Sequence, residues 1–276
     1  MDRYFRPRSL TEALDILAEH RPQPLAGGTD LYPALTGAAA WGPRAPANWM
    51  DISGVAALAG ITPADGGWRV GALVTWTELT RAALPPAFLA LQQAARQVGG
   101  RQVQNRGTLL GNLCNASPAA DGVPPLLILD AEVELASAAG HRRMALADFL
   151  LGNRRTARRA EELAVALHLP CPPQAESRFE KLGARRQLVI SIVMAAGLLR
   201  FSGGVVAEAR VAVGACSAVA LRLHGLEAAL LGQPRQALAG IITATPLGLS
   251  PIADIRGSAA YRDQAARALV ERSLGL

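Results

Sequence analysis

Two glycine-rich segments about eighty residues apart carry the chemistry legible in this chain: Pro24-Leu25-Ala26-Gly27-Gly28-Thr29-Asp30-Leu31 and Gly107-Thr108-Leu109-Leu110-Gly111-Asn112-Leu113-Cys114-Asn115. Glycine has no Cβ, so successive backbone N–H groups can face one way and come close to a pyrophosphate. Thr29, Thr108 and Asn112 add side-chain hydrogen-bonding groups. One Gly-Gly pair between a strand and a helix is read equally well as a plain turn. Two such segments, in this order and with these flanks, favour a phosphate-binding cradle.

The elements that must hold these segments follow from pattern. Ser9-Leu10-Thr11-Glu12 has the form of a capping box, and Leu10, Ala13, Leu14, Leu17 and Ala18 recur at helical spacing, which predicts an amphipathic helix over 10–20. The first glycine segment follows a strand at 23–25, and Asn48 to Ile52 reads as a strand closing a small amino-terminal subdomain. Next come a strand at 68–72, a short helix opened by Thr77, and a helix from Pro86 to about Gly99. Val133 to Leu135 and the polar stretch Ser137 to Arg143 form an antiparallel hairpin. An apolar strand over 161–169 stops at Pro170-Cys171-Pro172-Pro173, which can continue neither a central strand nor a helix. The domain boundary is placed there. Beyond it, Phe179–Lys181, Val189–Phe201 and Val205–Cys216 read as a small antiparallel sheet, and the pattern from Leu223 onward is helical.

Composition narrows the function. A chain of 276 residues can bury a sizeable core and divide into two domains. Cys114, Cys171 and Cys216 are far apart, with no C-x-x-C pair, so neither a disulfide framework nor an iron–sulfur or other metal site is expected. The amino terminus is polar and charged, unlike a signal peptide, and the apolar runs of about a dozen residues are too short to span a bilayer. A cytoplasmic protein without a membrane span is expected. The net charge of +6 is scattered, with few aromatic residues among the arginines, which argues against nucleic-acid binding. Its densest cluster, Arg154-Arg155 with Arg158-Arg159, reads as a solvated turn and helix start, or else as a patch for an acidic partner or ligand. Of the 28 basic residues, all but Lys181 are arginine.

These segments resemble the FAD-binding subunit of the molybdenum hydroxylases, the family of xanthine dehydrogenase, carbon monoxide dehydrogenase and aldehyde oxidoreductases. The resemblance covers nearly the whole chain. It runs from Tyr4-Phe5-Arg6-Pro7 through both glycine segments and Pro118-Ala119-Ala120-Asp121 to Leu126–Leu135. It continues in Phe179-Glu180-Lys181-Leu182-Gly183 and ends in Asp254-Ile255-Arg256-Gly257-Ser258-Ala259-Ala260-Tyr261-Arg262.

The resemblance implies an α+β fold. A two-subdomain FAD-binding domain of the vanillyl-alcohol-oxidase/PCMH type would span 1–172, with subdomains about 1–55 and 56–172. A smaller domain, 173–276, would carry a three-stranded antiparallel sheet and helices. It implies noncovalent FAD, with Ala26, Gly27, Gly28, Thr29, Asp30, Leu31, Gly107, Thr108, Leu110, Gly111 and Asn112 at the diphosphate and Asp121 at ribityl or nearby hydroxyls. Lys181 would lie near the isoalloxazine and tune it, with Ile190 flanking the ring. Read alone, Lys181 is equally a solvated surface lysine, and Asp121 a polar cap. The chain would have no catalytic residue of its own and would pass electrons from an iron–sulfur subunit to NAD, oxygen or another acceptor. Its partners would carry the [2Fe-2S] clusters and molybdopterin, in a dimer of heterotrimers.

Leu110 stands where the family usually has glycine; if that position needs positive φ, leucine is strained by about 1 kcal/mol or more. Gln104 replaces an arginine common in the family. Two alternatives remain open: a self-sufficient flavoprotein reductase or oxidase of related fold, and a non-catalytic scaffold that has lost flavin. The first needs a catalytic acid that the last hundred residues do not show. His20, His141, His168 and His224 lie outside the glycine segments, which speaks against a histidyl-flavin bond.

Overall fold

The computed structural model describes residues 3–39, 48–64, 66–172, 175–186 and 188–276. Pro173, at the expected boundary, and the first two residues of the charged amino terminus lie outside the described residues.

The chain opens with β1 (Tyr4–Phe5), α1 (Leu10–His20), β2 (Gln23–Leu25), α2 (Leu31–Ala39) and β3 (Trp49–Asp51). The three strands form a parallel sheet in the order β1-β3-β2. Ser9 caps α1, its hydroxyl accepting from the Glu12 N–H at 3.1 Å. The Glu12 carboxylate reaches the Arg8 N–H at 2.7 Å, one residue earlier than a capping box requires.

Next come β4 (Ile61–Ala64), β5 (Gly67–Gly71), α3 (Trp76–Arg81), α4 (Leu89–Gln97), α5 (Arg101–Arg106), α6 (Leu109–Asn115) and α7 (Val123–Ile128). The cap of α3 is Thr75, in a complete capping box with Glu78, and the helix opens at Trp76; Thr77 instead lies inside it and bonds Asn105 at 2.6 Å. Pro86 begins a short 3-10 turn that leads into α4. The strands β6 (Glu132–Ser137) and β7 (Gly140–Ala145) form the expected hairpin, followed by α8 (Leu146–Phe149), β8 (Leu150–Gly152), β9 (Arg155–Thr156) and β10 (Leu163–Pro170). An antiparallel sheet results, in the order β4-β5-β10-β6-β7. The segment expected to start a helix at Arg154–Arg159 turns instead at Arg154, with φ 55°, into the β8–β9 hairpin.

The final segment holds β11 (Glu176–Leu182), β12 (Val193–Ser202), β13 (Val205–Gly214) and β14 (Leu221–Arg222), then α9 (His224–Leu230), α10 (Leu238–Ala244) and α11 (Ala259–Ser273). The sheet has four strands rather than the expected three, because Leu221 and Arg222 pair with Val213 and Ala212. Residues 189–192, apolar enough to read as strand, precede β12, which starts at Val193.

The two-residue period of this sheet sorts its side chains between two cores. Phe179, Met194, Ala196 and Leu198 share one core with Trp76, Phe88 and Phe149 of the preceding elements. Val193, Ala195, Val211 and Val213 face Leu226, Leu230, Ile242, Leu269 and Val270 of the carboxyl-terminal helices. Polar links reinforce the first contact. The buried Ser177 hydroxyl donates to Ala87 O at 2.7 Å and accepts from Ala90 N–H at 2.9 Å, while Gln93 Oε1 accepts from Phe179 N–H at 2.8 Å.

Candidate functional site

The two glycine segments meet in space and line one cavity of about 710 Å³, within the size range of small-molecule and cofactor sites. Each segment takes its shape from its own local chemistry. Parallel pairing ends at Leu25, and the chain turns at Gly28, where φ is +72°. Tyr32 N–H then bonds Gly28 O at 3.0 Å and opens α2. Gly27 has a different reason for being glycine: a Cβ there would lie 1.9 Å from Arg106 O, so the two segments touch backbone to backbone.

Among the described residues, the N–H groups of Gly27, Gly28 and Thr29 have no hydrogen-bond acceptor within the protein. Three successive donors without a protein acceptor, around the positive-φ Gly28, are the backbone arrangement that an anion-binding nest uses.

The second segment is a helix start rather than an extended loop. Gly107 ends α5 with its N–H on Val103 O at 2.7 Å, and Thr108 caps α6, its hydroxyl accepting from Gly111 N–H at 3.1 Å. Leu110 sits inside α6, is buried and carries no positive φ, so the expected strain is absent: a helical position needs no glycine. Gln104 has its own task, its amide donating to Arg96 O at 3.1 Å and Val98 O at 3.0 Å beside the end of α4. The buried Trp76 lies under this segment, its N–H on Gly107 O at 3.2 Å.

Asn112 lines the cavity with a buried Oδ1 that has no partner among the described residues. A buried acceptor left unpaired costs about 1–3 kcal/mol, and a ligand hydroxyl or amine placed there would recover it. The unpaired N–H groups, the unpaired Asn112 oxygen and the cavity size together fit a dinucleotide such as FAD.

Ala26, Gly27, Gly28, Thr29, Asp30, Leu31, Gly107, Thr108, Leu110, Gly111 and Asn112 all line this cavity. Asp121, Lys181 and Ile190 do not. Lys181 is no solvated surface lysine: its Nζ lies 2.5 Å from Asp121 Oδ2, with the two side chains only 6% and 8% exposed. Ser191 Oγ donates to the other Asp121 oxygen at 2.6 Å, and Nζ also reaches Gln97 O at 3.4 Å. Burial pushes the Asp121 carboxyl above the ordinary carboxylate range, against the opposing pull of Lys181 and Ser191. This group joins the loop after α6 to the four-stranded sheet. Ile190 is 55% exposed, in the segment between β11 and β12.

Sequence reasoning left the cavity's arginines between a solvated turn with a helix start and a patch for an acidic partner or ligand, and placed none of them at the glycine segments. Arg154 Nη1 donates to Asn115 Oδ1 at 3.0 Å, and Asn115 Nδ2 donates to Asp30 Oδ1 at 3.1 Å, a relay that links the β8–β9 turn to the first glycine segment. Arg158 also lines the cavity. The density of arginine at 154–159 was the available signal; the hairpin that turns it toward the glycine segments was not readable from it. Cys114 lies on the same wall, its thiol pushed up to about 11 by burial and therefore neutral.

Comparison with known proteins gives matches along almost the whole chain. Residues 1–172 match the family model described as FAD binding domain in molybdopterin dehydrogenase, and residues 177–275 match that of the CO dehydrogenase flavoprotein C-terminal domain. The chain is 32% identical over 267 residues to the xanthine dehydrogenase FAD-binding subunit of Escherichia coli O157:H7, covering 94% of this chain and 90% of that one. It is similar to a chain of the carbon monoxide dehydrogenase of Hydrogenophaga pseudoflava that lacks the Mo-pyranopterin moiety of the molybdenum cofactor. There the TM-score is 0.89 at 28% identity, over 99% of this chain and 96% of that chain. Against quinoline 2-oxidoreductase from Pseudomonas putida 86 the TM-score is also 0.89, at 31% identity, over 99% and 95% of the two chains. The paired glycine segments, the cavity they share and a match along almost the entire length place this chain in the family of FAD-binding subunits of molybdenum hydroxylases.

Proposed function

We propose that the chain holds FAD noncovalently in this cavity and serves as an electron-transfer subunit. It would take electrons from [2Fe-2S] clusters on one partner subunit, which receives them from a molybdopterin subunit, and pass them to NAD, oxygen or another acceptor. When bound, FAD supplies the exchange between one-electron and two-electron redox steps. The chain's own residues bind and orient it. The N–H groups of Gly27, Gly28 and Thr29 receive the diphosphate, and Asn112 Oδ1 accepts from a hydroxyl or amine of the cofactor. Thr108 shapes the wall by capping α6. Lys181 and Asp121 lie behind the cavity: Nζ also reaches Gln97 O, next to Val98, which lines it. The domain boundary falls at 172–173, and the assembly is a cytoplasmic dimer of heterotrimers.

The observation that carries this reading is the run of three unpaired N–H groups beside an unpaired buried Asn112 oxygen in one cavity. No helix among the described residues is long and apolar enough to cross a membrane.

The test is to purify the chain alone, denature it and identify what it releases. FAD near one per chain is expected, with no hydroxylation of xanthine or an aldehyde until partner subunits are added. A chain that releases no flavin and binds none on titration, or one that hydroxylates alone, overturns the reading.

A further inference from the structure

Among the described residues lining the cavity, the side chains that carry charge at neutral pH are Asp30, Arg154 and Arg158. Asp30 is already engaged by Asn115, which Arg154 holds from the other side. Arg158 differs from both. One of its nitrogens, Nη1, is fixed by Glu162 O at 2.7 Å and Arg159 O at 3.2 Å, which anchors the guanidinium on the chain leading into β10. Its remaining N–H groups have no partner among the described residues.

Its place is set by α6. Gly111, Cys114 and Asn115 are three and four residues apart and share one face of that helix. Arg158 is close enough to the Cys114 thiol to act on it electrostatically. Asn115, on the same face, bonds Asp30 beside the Gly27–Thr29 nest. Nest, helix face and guanidinium therefore enclose one space. Among the described residues no anion neutralises Arg158: Asp30 is bonded to Asn115, and the thiol is held in its neutral form. A cavity lined both by a run of unpaired backbone N–H groups and by an anchored, half-satisfied guanidinium is complementary to a doubly charged anion.

We propose that Arg158 is a phosphate-recognising residue of this cavity, pairing with the diphosphate of the bound dinucleotide opposite the Gly27–Thr29 nest. The inference rests on the FAD reading above and assigns a binding role to one residue of a segment that sequence alone reads as a solvated turn and helix start or as a patch for an acidic partner or ligand. Guanidinium suits the task because its fork presents two parallel donors to two phosphate oxygens, while Nη1 stays on the protein.

The test is equilibrium titration of the full chain with FAD, at low and at high salt, for wild type, Arg158→Gln and Arg158→Lys. Arg158→Gln is expected to weaken FAD binding by about 10- to 100-fold, the range for losing a charge-assisted hydrogen bond. Arg158→Lys should fall between, because it keeps the charge and loses the fork. Wild-type affinity should fall with added salt more steeply than that of Arg158→Gln. Unchanged FAD affinity in Arg158→Gln overturns the proposal and leaves the flavin reading standing. So does equal weakening in both variants with the wild-type salt dependence, since that marks a purely structural role through Glu162 O. Failure of wild type itself to bind FAD overturns the flavin reading instead.

Discussion

Replacing Asp121 by alanine strands a buried ammonium. In the native chain Lys181 Nζ has two partners, Asp121 Oδ2 at 2.5 Å and Gln97 O at 3.4 Å, and only the first is a strong bond. Removing one member of a buried pair costs about 3–5 kcal/mol, because the survivor is left charged away from water. The upper end is expected for Asp121→Ala, since a 3.4 Å contact to one carbonyl does little for an ammonium. Lys181→Met should fall near the lower end: the Asp121 carboxylate keeps Ser191 at 2.6 Å, and it can take up a proton. The pH dependence separates the two variants. Burial already raises the Asp121 carboxyl, and loss of Lys181 raises it further. A carboxyl whose folded pKa exceeds its unfolded value binds more protons when folded, so stability falls as pH rises through that interval. The deficit of Lys181→Met should therefore shrink as pH is lowered toward the raised carboxyl value. The double variant Asp121→Ala/Lys181→Met leaves no buried charge and should cost well below the sum of the singles, with a coupling of about 2–3 kcal/mol. Urea unfolding of the four proteins at several pH values measures all of this. Single-variant losses below about 0.5 kcal/mol, or additive losses in the double, would refute the picture of a buried, mutually dependent pair.

Two further predictions separate effects that share a location. Gly27→Ala should disrupt the site more than Gly28→Ala, because its Cβ would meet the Arg106 carbonyl at 1.9 Å, whereas at Gly28 the nearest atoms belong to the movable Tyr32 ring and the strain of φ +72° is about 1–2 kcal/mol; FAD titration and thermal unfolding of both proteins check the order, and equal effects would count against it. Arg142→Gln should cost about 1–2 kcal/mol at neutral pH, moderated by the partial exposure of Arg142, whose Nε and Nη2 hold the buried Glu162 carboxylate at 2.5 and 2.8 Å. Arg142 holds the Glu162 carboxyl below its ordinary range, so this stabilisation is present above the unfolded carboxylate pKa and is lost as pH falls through the folded one; a gap between wild type and variant that stays constant into acid would contradict the assignment.

The features legible in the sequence are those with a local cause. Ser9 caps α1 because a hydroxyl before an amphipathic run meets a nearby unpaired N–H, and the β6–β7 hairpin follows from alternation across a polar turn. Both glycine segments reach the cavity because the need for glycine is written in the residue itself. What the sequence hid has non-local causes. The start of α3 is an exception: the Thr75 capping box with Glu78 is a local signal, three residues long, that the reading from Thr77 passes over. Leu110 looked strained only while its segment was read as a loop. Lys181 reads as a flavin-tuning lysine by resemblance and as a surface lysine by itself; its buried pairing with Asp121, sixty positions earlier, appears only when the four-stranded sheet carries it there.

The glycine segments also show why cavity and core are not separable here. Gly27 is pressed on the Arg106 carbonyl, and Gly107 follows directly into the Thr108 cap of α6. Displacing either segment therefore moves the other. A Cβ on Gly107 would come 3.1 Å from Thr29 Oγ1, so the contact is close on both sides. Trp76, buried below, bonds Gly107 O and fixes the height of the second segment from inside the core. The unpaired N–H groups at Gly27–Thr29 thus sit in a turn that is closely packed against the second segment. Preorganised donors bind an anion without first giving up bonds to the protein. That is the physical sense in which backbone donors set between such contacts suit a charged cofactor held in one position.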